Sequence, residues 1–248
     1  MTARSIAIYS LKGGVGKTSF AVNLAWASAR AGRRTLLWDL DAQGASTFLL
    51  QAEQHSGDKV QAIFSREVAP SALVCPTAIE HLHLLPADKS LRGLDRFFFG
   101  LRKKRRLEKL LADLGADHER VLLDCPPGLT DTSEQVLRAA DLVIVPVIPS
   151  PLSRRALDEV LDFLDRKRLR RGAVLPVFNM VDRRRTLHRQ ALDEQPDWPV
   201  VPMASAIEEM SARQQPVGAF APRSPGAVAL ADLWTGIERR LARAPKES

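Results

Sequence analysis

The segment SLKGGVGKTS, residues 10–19, combines three glycines with two lysines and ends in hydroxyl side chains. It follows a short apolar stretch, residues 4–9, and leads into good helix formers at helical spacing, residues 18–31. A glycine-rich turn between a strand and a helix directs backbone amides at phosphate oxygens, and the helix dipole strengthens the attraction. The segment therefore predicts a phosphate-binding loop at the end of a strand.

The alternation of short apolar strands and helices continues along the chain. Strands that are apolar on both faces and separated by helices indicate a parallel sheet with helices packed on both sides. We predict an α/β fold with a doubly wound, mostly parallel sheet, in a single domain of residues 1–248 whose residues 244–248 form a loose tail. The predicted strands are 4–9, 35–39, 81–85, 121–124, 142–147, 173–181 and 199–201, and the predicted helices are 18–31, 101–114, 133–139, 152–169 and 227–243.

Polar residues stand where several predicted strands end, which is the edge at which such sheets bind ligands. Asp39 and Asp41 flank Leu40 at the end of the second strand, and Asp124 ends the apolar run VLLD. Side chains alternate along a strand, so Asp39 and Asp41 can point the same way. Carboxylates placed there can hold Mg²⁺ through water or orient an attacking water, and phosphoryl transfer requires both.

The phosphate-binding loop departs from the usual pattern G-x-x-x-x-G-K-[ST] at one position. Leu11 stands where the first glycine belongs. The rest of the pattern is present: Lys17 would reach the β and γ phosphates, and the Thr18 hydroxyl would bind Mg²⁺. Lys12 is a second lysine for which the usual pattern has no role.

The motifs KGGVGKTS, WDLDAQGAST and LLDCPPG occur in this order. Together they resemble the deviant Walker A ATPases of the ParA/MinD type, and the resemblance runs over about residues 4–241. It implies ATP and Mg²⁺ as cofactors and a homodimer that forms when ATP binds. Lys17 would contact the ATP of its own subunit, whereas Lys12 would reach the phosphates held by the partner subunit. The loop residues implied to bind ATP are Lys12, Gly13, Gly14, Val15, Gly16, Lys17, Thr18 and Ser19.

The same resemblance implies roles for residues outside the loop. Asp41 matches the aspartate that activates water and Asp39 the position that supports it, although Ala42 replaces the usual proline. Asp41 and Lys12 are therefore the implied catalytic residues. The alternatives are a helix-capping or loop role for Asp39, Asp41 and Asp124, and a turn-forming role for Asn179. The implied metal-site residues are Thr18, Asp39 and Asp124, and the implied adenine-site residues are Asn179, Pro202 and Met203.

The formal net charge of +7 favours an anionic partner, either nucleic acid or anionic lipid. Basic runs occur at residues 102–106, 166–171 and 183–185. The resemblance implies DNA binding without sequence preference, through phosphate contacts. Met203 and Ala206 stand where the family often carries arginines for DNA. Our candidates are instead Arg154, Arg155, Arg183, Arg184, Arg185 and Arg213.

The resemblance implies a switch that positions or segregates a cargo: a plasmid, a chromosome region or a protein complex. Hydrolysis would be slow and stimulated by an unidentified activating protein or cargo adaptor. The alternatives are a MinD-like membrane-associated ATPase that regulates division or secretion, and a metabolic relative such as an ATP-dependent amidoligase. An apolar stripe with neighbouring arginines in the predicted last helix would suit a membrane, but such stripes are more often core. It comprises Leu230, Leu233, Trp234, Ile237 and Leu241.

We expect a cytoplasmic, nucleoid-associated protein for which a membrane is not a partner. No apolar run reaches the ~20 residues that cross a bilayer, and the first predicted strand lies too near Met1 for a signal peptide. Cys75 and Cys125 are too few for a disulfide framework or a zinc site.

Overall fold

The computed structural model describes residues 3–51, 59–100, 105–169 and 174–243. Within these ranges, eight strands form one sheet in the order β3-β4-β2-β5-β1-β6-β7-β8. All neighbouring strands run parallel except β3 and β4, which pair antiparallel at one edge. The strands are β1 (Arg4–Ile8), β2 (Thr35–Asp39), β3 (Cys75–Pro76), β4 (Leu82–Leu85), β5 (Arg120–Asp124), β6 (Leu142–Val147), β7 (Val174–Val181) and β8 (Val200–Pro202).

Helices pack on both faces of this sheet, and two apolar clusters form the core. The helices are α1 (Lys17–Arg30), α2 (Ala45–Leu49), α3 (Lys59–Ser65), α4 (Leu94–Gly100), α5 (Arg106–Leu114), α6 (Asp131–Ala139), α7 (Pro151–Arg166), α8 (Thr186–Glu194), α9 (Ser205–Glu208), α10 (Met210–Arg213), α11 (Val217–Phe220) and α12 (Pro225–Arg243). Helices α1, α2 and α9 to α12 pack on one face, and α3 to α8 pack on the other.

Strand β1 and the following Tyr9 show why helices pack on both faces of the sheet. Ile6 and Ile8 pack with α1 and α12, whereas Ala7 and Tyr9 pack with the opposite cluster, and all four are fully buried. A strand buried on both faces needs apolar residues at consecutive positions, which is the pattern that the sequence shows. The prediction of a doubly wound α/β sheet is confirmed.

Each predicted strand is present, with small differences at the ends. The predicted helix 152–169 ends earlier, at Arg166, because Arg168 adopts the left-handed backbone conformation (φ 54°). The predicted helix 101–114 begins at Arg106, because Arg105 precedes it with a non-helical backbone (φ −126°, ψ 31°). Residues 101–104, 170–173 and the predicted tail 244–248 lie outside the described ranges. Strand β3 and helix α8, together with the short helices α2 to α4 and α9 to α11, were not predicted.

The apolar stripe of α12 belongs to the core. Leu230, Leu233, Trp234, Ile237 and Leu241 are all buried and pack with α1 and β1. A bidentate ion pair between Arg120 and Glu238, with two N–O distances of 2.7 Å, further fastens α12 to the sheet. No helix among the described residues is long and apolar enough to cross a membrane. The stripe therefore stabilises the fold and is not available to lipid in this structure.

Two histidines lie next to each other near the amino ends of the strands. His83 Nδ1 and His118 Nε2 share a hydrogen bond of 2.8 Å, and His118 Nδ1 contacts the Leu114 carbonyl at 2.9 Å. Burial lowers the pKa of His118, and the neighbouring His83 and Arg34 lower it further, while Leu114 and Asp117 oppose the shift. The folded protein therefore resists protonation of His118 more than the unfolded chain does.

This histidine pair predicts a loss of stability in mild acid. A histidine with a lowered pKa contributes stability that is present above its unfolded pKa, about 6.5, and that is lost as the pH falls. We expect His118→Gln to show a smaller decrease in the free energy of unfolding between pH 7.5 and pH 5.5 than the wild type. Urea denaturation at both pH values measures this, and equal decreases in the two proteins would contradict it.

Candidate functional site

The loop between β1 and α1 has the backbone that a phosphate site requires. Gly14 (φ 72°) and Gly16 (φ 90°) occupy the left-handed region, where residues with a Cβ are strained. Gly16 caps α1, which begins at Lys17, and no side chain caps this helix end. Gly13 and Gly14 are exposed, while the Val15 side chain is buried in the core. The loop thus presents open backbone at a helix N-terminus, where an anion is stabilised.

The two lysines of the loop reach different partners. Lys17 is 8% exposed, and its Nζ donates to the Lys12 carbonyl at 3.2 Å. Burial lowers the pKa of Lys17, and the nearby charge of Asp124 is the largest opposing effect. Lys12 is only partly buried, and its Nζ donates to Ser153 Oγ of α7 at 3.4 Å. One ammonium group therefore lies inside the loop, whereas the other extends from it towards α7.

Asp124, at the end of β5, has one carboxylate oxygen that the protein leaves without a partner. Its Oδ2 accepts a hydrogen bond from Ser46 Oγ at 2.7 Å. Its Oδ1 is buried and accepts no hydrogen bond from the described residues. Burial raises the pKa of Asp124, and the hydroxyl of Ser46 counteracts this, as does the nearby hydroxyl of Thr18, although Thr18 forms no regular hydrogen bond with Oδ1. A buried carboxylate oxygen near Thr18 and Lys17 costs free energy unless a cation is present, so these residues fit a hydrated Mg²⁺.

Asp39, at the end of β2, uses both oxygens within the protein. Its Oδ2 accepts from the Thr47 backbone amide at 2.9 Å and from Thr47 Oγ1 at 2.7 Å. Its Oδ1 accepts from the Asp41 backbone amide at 3.2 Å. Burial raises the pKa of Asp39, and the neighbouring Asp124 raises it further. The role of Asp39 at the metal stays a prediction, and the structure shows it holding Thr47 and Asp41.

Asp41 lies in the turn that joins β2 to α2. Its Oδ1 accepts from the Gln43 amide at 3.0 Å, and its carbonyl accepts from Gly44 at 2.8 Å. Gly44 has a φ of 66°, which closes the turn and starts α2. The Asp41 carboxylate is partly exposed and lies near enough to Asp124 and Lys17 to influence the pKa of each. Asp41 is therefore brought to the phosphate-binding loop with access to solvent.

Asn179 lies against the phosphate-binding loop. Its Nδ2 donates to the Val15 carbonyl at 2.8 Å, and a Cβ on Gly16 would collide with the same Asn179 nitrogen. The register of β7 against β8 is irregular between Phe178 and Val181, and Met180 has a φ of 55°. Such an irregularity re-aims side chains. Contact of Asn179 with adenine stays a prediction.

Pro202 and Met203 lie beside this irregular segment. Pro202 ends β8 opposite Val181, and the Met203 amide donates to the Val181 carbonyl at 3.0 Å. The Met203 side chain is 51% exposed, which is unusual for a large apolar residue. The position of Pro202 and Met203 at the end of β8, beside the irregular segment of β7, is therefore compatible with their predicted contact with the base.

Three contacts at the site were not predicted. Ser46 and Thr47 hold the two buried aspartates, and the Tyr9 hydroxyl donates to the Gly128 carbonyl at 2.9 Å. Tyr9 thereby joins the start of the phosphate-binding loop to the segment CPPG that follows Asp124. The adjacent hydroxyls of Ser46 and Thr47, a few residues after DLD, were the available signal in the sequence.

The six candidate arginines are exposed and lie at the carboxyl edge of the sheet. Arg154 and Arg155 occupy the first turns of α7 after β6, residues 183–185 follow β7, and Arg213 ends α10 after β8. Arg154, Arg155 and Arg213 pair with acids one helical turn away at 2.9 to 3.3 Å. Arg184 pairs with Asp182. Exposed pairs of this kind contribute ~0–1 kcal/mol, so phosphate could displace the acids.

A family model described as an AAA domain matches residues 3–173. The chromosome-partitioning ATPase Soj of Thermus thermophilus is 34% identical, with 97% of this chain and 98% of that protein covered. The sporulation initiation inhibitor protein Soj of Bacillus subtilis is 29% identical, with 92% and 95% covered. These relatives match over nearly their whole length, so the likeness extends beyond the phosphate-binding loop.

Among solved structures, a cobyrinic acid a,c-diamide synthase of Mycobacterium smegmatis with a bound ATP analogue and magnesium superposes with a TM-score of 0.81. It is 28% identical and covers 98% of this chain and 97% of that one. The superposition confirms the α/β architecture derived above.

Proposed function

Because the chain belongs to the ParA/MinD family of deviant Walker A ATPases, we propose that it is an ATP-driven switch that dimerises on ATP, binds DNA without sequence preference and positions a cargo. Its cofactors are ATP and Mg²⁺, which the donor set around Thr18 and Asp124 fits. We propose a single ATPase domain, nucleoid association in the cytoplasm, and a separate activating protein or cargo adaptor. The 34% identity to a chromosome-partitioning ATPase over the whole chain supports this proposal.

The observation that carries the proposal is the divergence of Lys12 and Lys17. Lys17 lies inside its own loop, where it would neutralise the phosphates of a bound ATP. Lys12 extends out of the loop and is held by a single long hydrogen bond to Ser153. A cation that is already outside the loop can reach an ATP bound by a second copy. Dimerisation would then depend on the phosphates of ATP, since two triphosphates facing each other repel unless cations separate them.

Hydrolysis requires a water that is aligned with the γ-phosphate. Mg²⁺, when bound, would neutralise charge on the phosphates. Asp41 would orient the water, because its carboxylate is partly exposed and its backbone is held by Asp39. Thr18 and Asp124 would hold the ion, and Lys17 would stabilise the charge that develops on the phosphates.

DNA retardation and liposome sedimentation, both with a non-hydrolysed ATP analogue, test the switch against the membrane-associated alternative. We expect retardation of DNA of any sequence in the presence of the analogue and its loss when the analogue is removed. Sedimentation with vesicles of anionic lipid would instead support the MinD-like function. DNA binding of equal strength with and without the analogue would contradict the proposed ATP-dependent switch.

Charge reversal at the loop after β7 should weaken DNA binding. Each phosphate contact that is lost lowers the slope of log affinity against log salt by about one. We expect the triple variant Arg183→Glu, Arg184→Glu, Arg185→Glu to bind DNA more weakly and with a flatter salt dependence, as measured by titration at several salt concentrations. An unchanged slope would place the DNA contacts elsewhere.

A matched control changes the net charge equally at the opposite edge of the sheet. Arg30 ends α1, and Arg239 and Arg243 lie near the end of α12, where the adjacent Glu238 pairs with Arg120 at the start of β5. All three are exposed. The triple variant to glutamate at these positions should keep most of the salt slope, since its arginines lie far from the carboxyl edge.

The structural likeness to a diamide synthase supports an ATP-dependent amidoligase as a second candidate. A ligase would hydrolyse ATP only with a carboxylic acid and an amine donor. Phosphate release measured with DNA, and separately with cobyrinic acid and ammonia, separates the two. Phosphate release that is stimulated by the ligase substrates and not by DNA would favour the amidoligase.

A further inference from the structure

We infer that Ser46 is a positioning residue for the metal site, acting through Asp124, and this inference rests on the proposed use of ATP with Mg²⁺. Ser46 lies in the first turn of α2 and is fully buried. Its hydroxyl donates to Asp124 Oδ2 at 2.7 Å, across 78 positions of sequence. A donor on one oxygen of a carboxylate fixes the direction in which the other oxygen points.

The state of Oδ1 distinguishes the Ser46–Asp124 hydrogen bond from one that merely stabilises a buried carboxylate. A carboxylate kept only for stability is expected to have hydrogen bonds on both oxygens, since each unpartnered buried acceptor costs about 1–3 kcal/mol. Asp39, an equally buried acid on the neighbouring strand, has partners on both. Asp124 Oδ1 has none among the described residues. Ser46 thus restrains Asp124 while leaving one oxygen open for a cation.

The position of Ser46 depends on its neighbour Thr47. Thr47 donates its amide and its hydroxyl to Asp39, and its hydroxyl in turn accepts from the Ala87 amide at 2.9 Å. These bonds fix the start of α2 against the end of β2 and the segment that follows β4. Ser46 therefore reaches Asp124 from a helix that is already anchored, which is the arrangement that orients a ligand precisely.

The test is the Mg²⁺ dependence of nucleotide binding, which does not require turnover. Binding of a fluorescent, non-hydrolysed ATP analogue is titrated with Mg²⁺ in the wild type and in Ser46→Ala. Loss of a hydrogen bond to a metal-ligating carboxylate typically costs 10–100-fold in metal affinity. We expect the half-saturating Mg²⁺ concentration to rise about 10-fold in Ser46→Ala, while binding of the analogue in EDTA stays at the wild-type value. An unchanged Mg²⁺ titration would overturn the inference.

Ser28→Ala is the matched control. Ser28 is also a fully buried serine of a helix, and its hydroxyl bonds Thr35 Oγ1 at 2.6 Å, away from the nucleotide site. Both variants remove one buried hydroxyl and no carbon atom. We expect Ser28→Ala to keep the wild-type Mg²⁺ titration. An equal rise in both variants, accompanied by equal losses in melting temperature, would show that Ser46 acts through general stability and would refute the inference.

A double-mutant cycle tests whether Ser46 acts through Asp124. In an Asp124→Asn background, the remaining Mg²⁺ dependence should be the same with serine or alanine at position 46, because the group that Ser46 orients is no longer a carboxylate. Additive effects of the two substitutions would contradict the inference. If the wild-type protein binds the analogue neither with nor without Mg²⁺, the proposed function itself fails, and that result is distinct from an insensitive Ser46→Ala variant.

Discussion

The variant Lys12→Ala is expected to bind ATP and to lose its ATP-dependent dimer. Lys12 extends out of the loop, so we expect its loss to leave intact the contacts that Lys17 and the loop backbone would make with the nucleotide. A hydrogen bond to a charged group contributes about 1.5–3 kcal/mol, and a symmetric dimer contains each contact twice. The dimerisation constant should therefore fall by about 10²- to 10⁴-fold.

Light scattering with a non-hydrolysed ATP analogue measures this change. The wild type should show the mass of a dimer and Lys12→Ala that of a monomer at the same concentration. Lys109→Ala, at an exposed lysine of α5, serves as the control and should dimerise normally. A dimer mass for Lys12→Ala would refute the role of Lys12 between subunits. Loss of analogue binding in that variant would show that Lys12 serves its own subunit.

The variant Asp41→Ala is expected to bind ATP and dimerise but to hydrolyse ATP about 10²- to 10⁴-fold more slowly, which is the usual contribution of a positioned acid or base. Asp41 has the partly exposed carboxylate at the site, whereas Asp39 and Asp124 are buried. Single-turnover phosphate release measures the rate, and light scattering shows whether the ATP-bound dimer persists. Turnover at the wild-type rate would exclude Asp41 as the group that orients water.

Asp41→Asn separates the charge of Asp41 from its structural role. The amide oxygen of asparagine can still accept from the Gln43 backbone, so the turn that precedes α2 should survive. We expect Asp41→Asn to be as slow as Asp41→Ala and as stable as the wild type. If Asp41→Asn were active while Asp41→Ala was slow, the side chain would act by shaping the turn.

The strands could be predicted from the sequence because burial on both faces requires apolar residues at consecutive positions. Helix α8 was missed for the opposite reason: within it, only His188 is fully buried. Helix α2 is five residues long and carries too little periodicity to be recognised. The start of α2 is fixed by hydrogen bonds from Thr47 to Asp39 and from Ser46 to Asp124. These are tertiary contacts with the ends of β2 and β5, so the local sequence does not reveal them.

The parts of the site that depend on the local spacing of residues could be predicted from the sequence. The parts that depend on tertiary contacts could not. The phosphate-binding loop follows from its glycines and lysines. The contact of Asn179 with Val15 depends on an irregular strand 164 positions away, and the left-handed backbone of Met180 has no signature in the side chain. Asp39 and Asp124 differ in how many of their carboxylate oxygens accept hydrogen bonds. This difference likewise depends on Thr47 and Ser46, whose partners the sequence pattern does not specify.

The central place of β1 has a consequence for the order in which the chain can fold. β1 pairs with β5 and β6 and makes no ladder with β2, so Arg4 finds its strand partner at Arg120. Closing so long a loop is entropically costly, and topologies dominated by distant pairings fold slowly. During synthesis at ~5–20 residues per second, the first strand and its phosphate-binding loop would wait for several seconds without sheet neighbours. The predicted phosphate-binding loop is thus among the first segments to be made, yet its strand gains a sheet neighbour only after residues 120–124 have been synthesised.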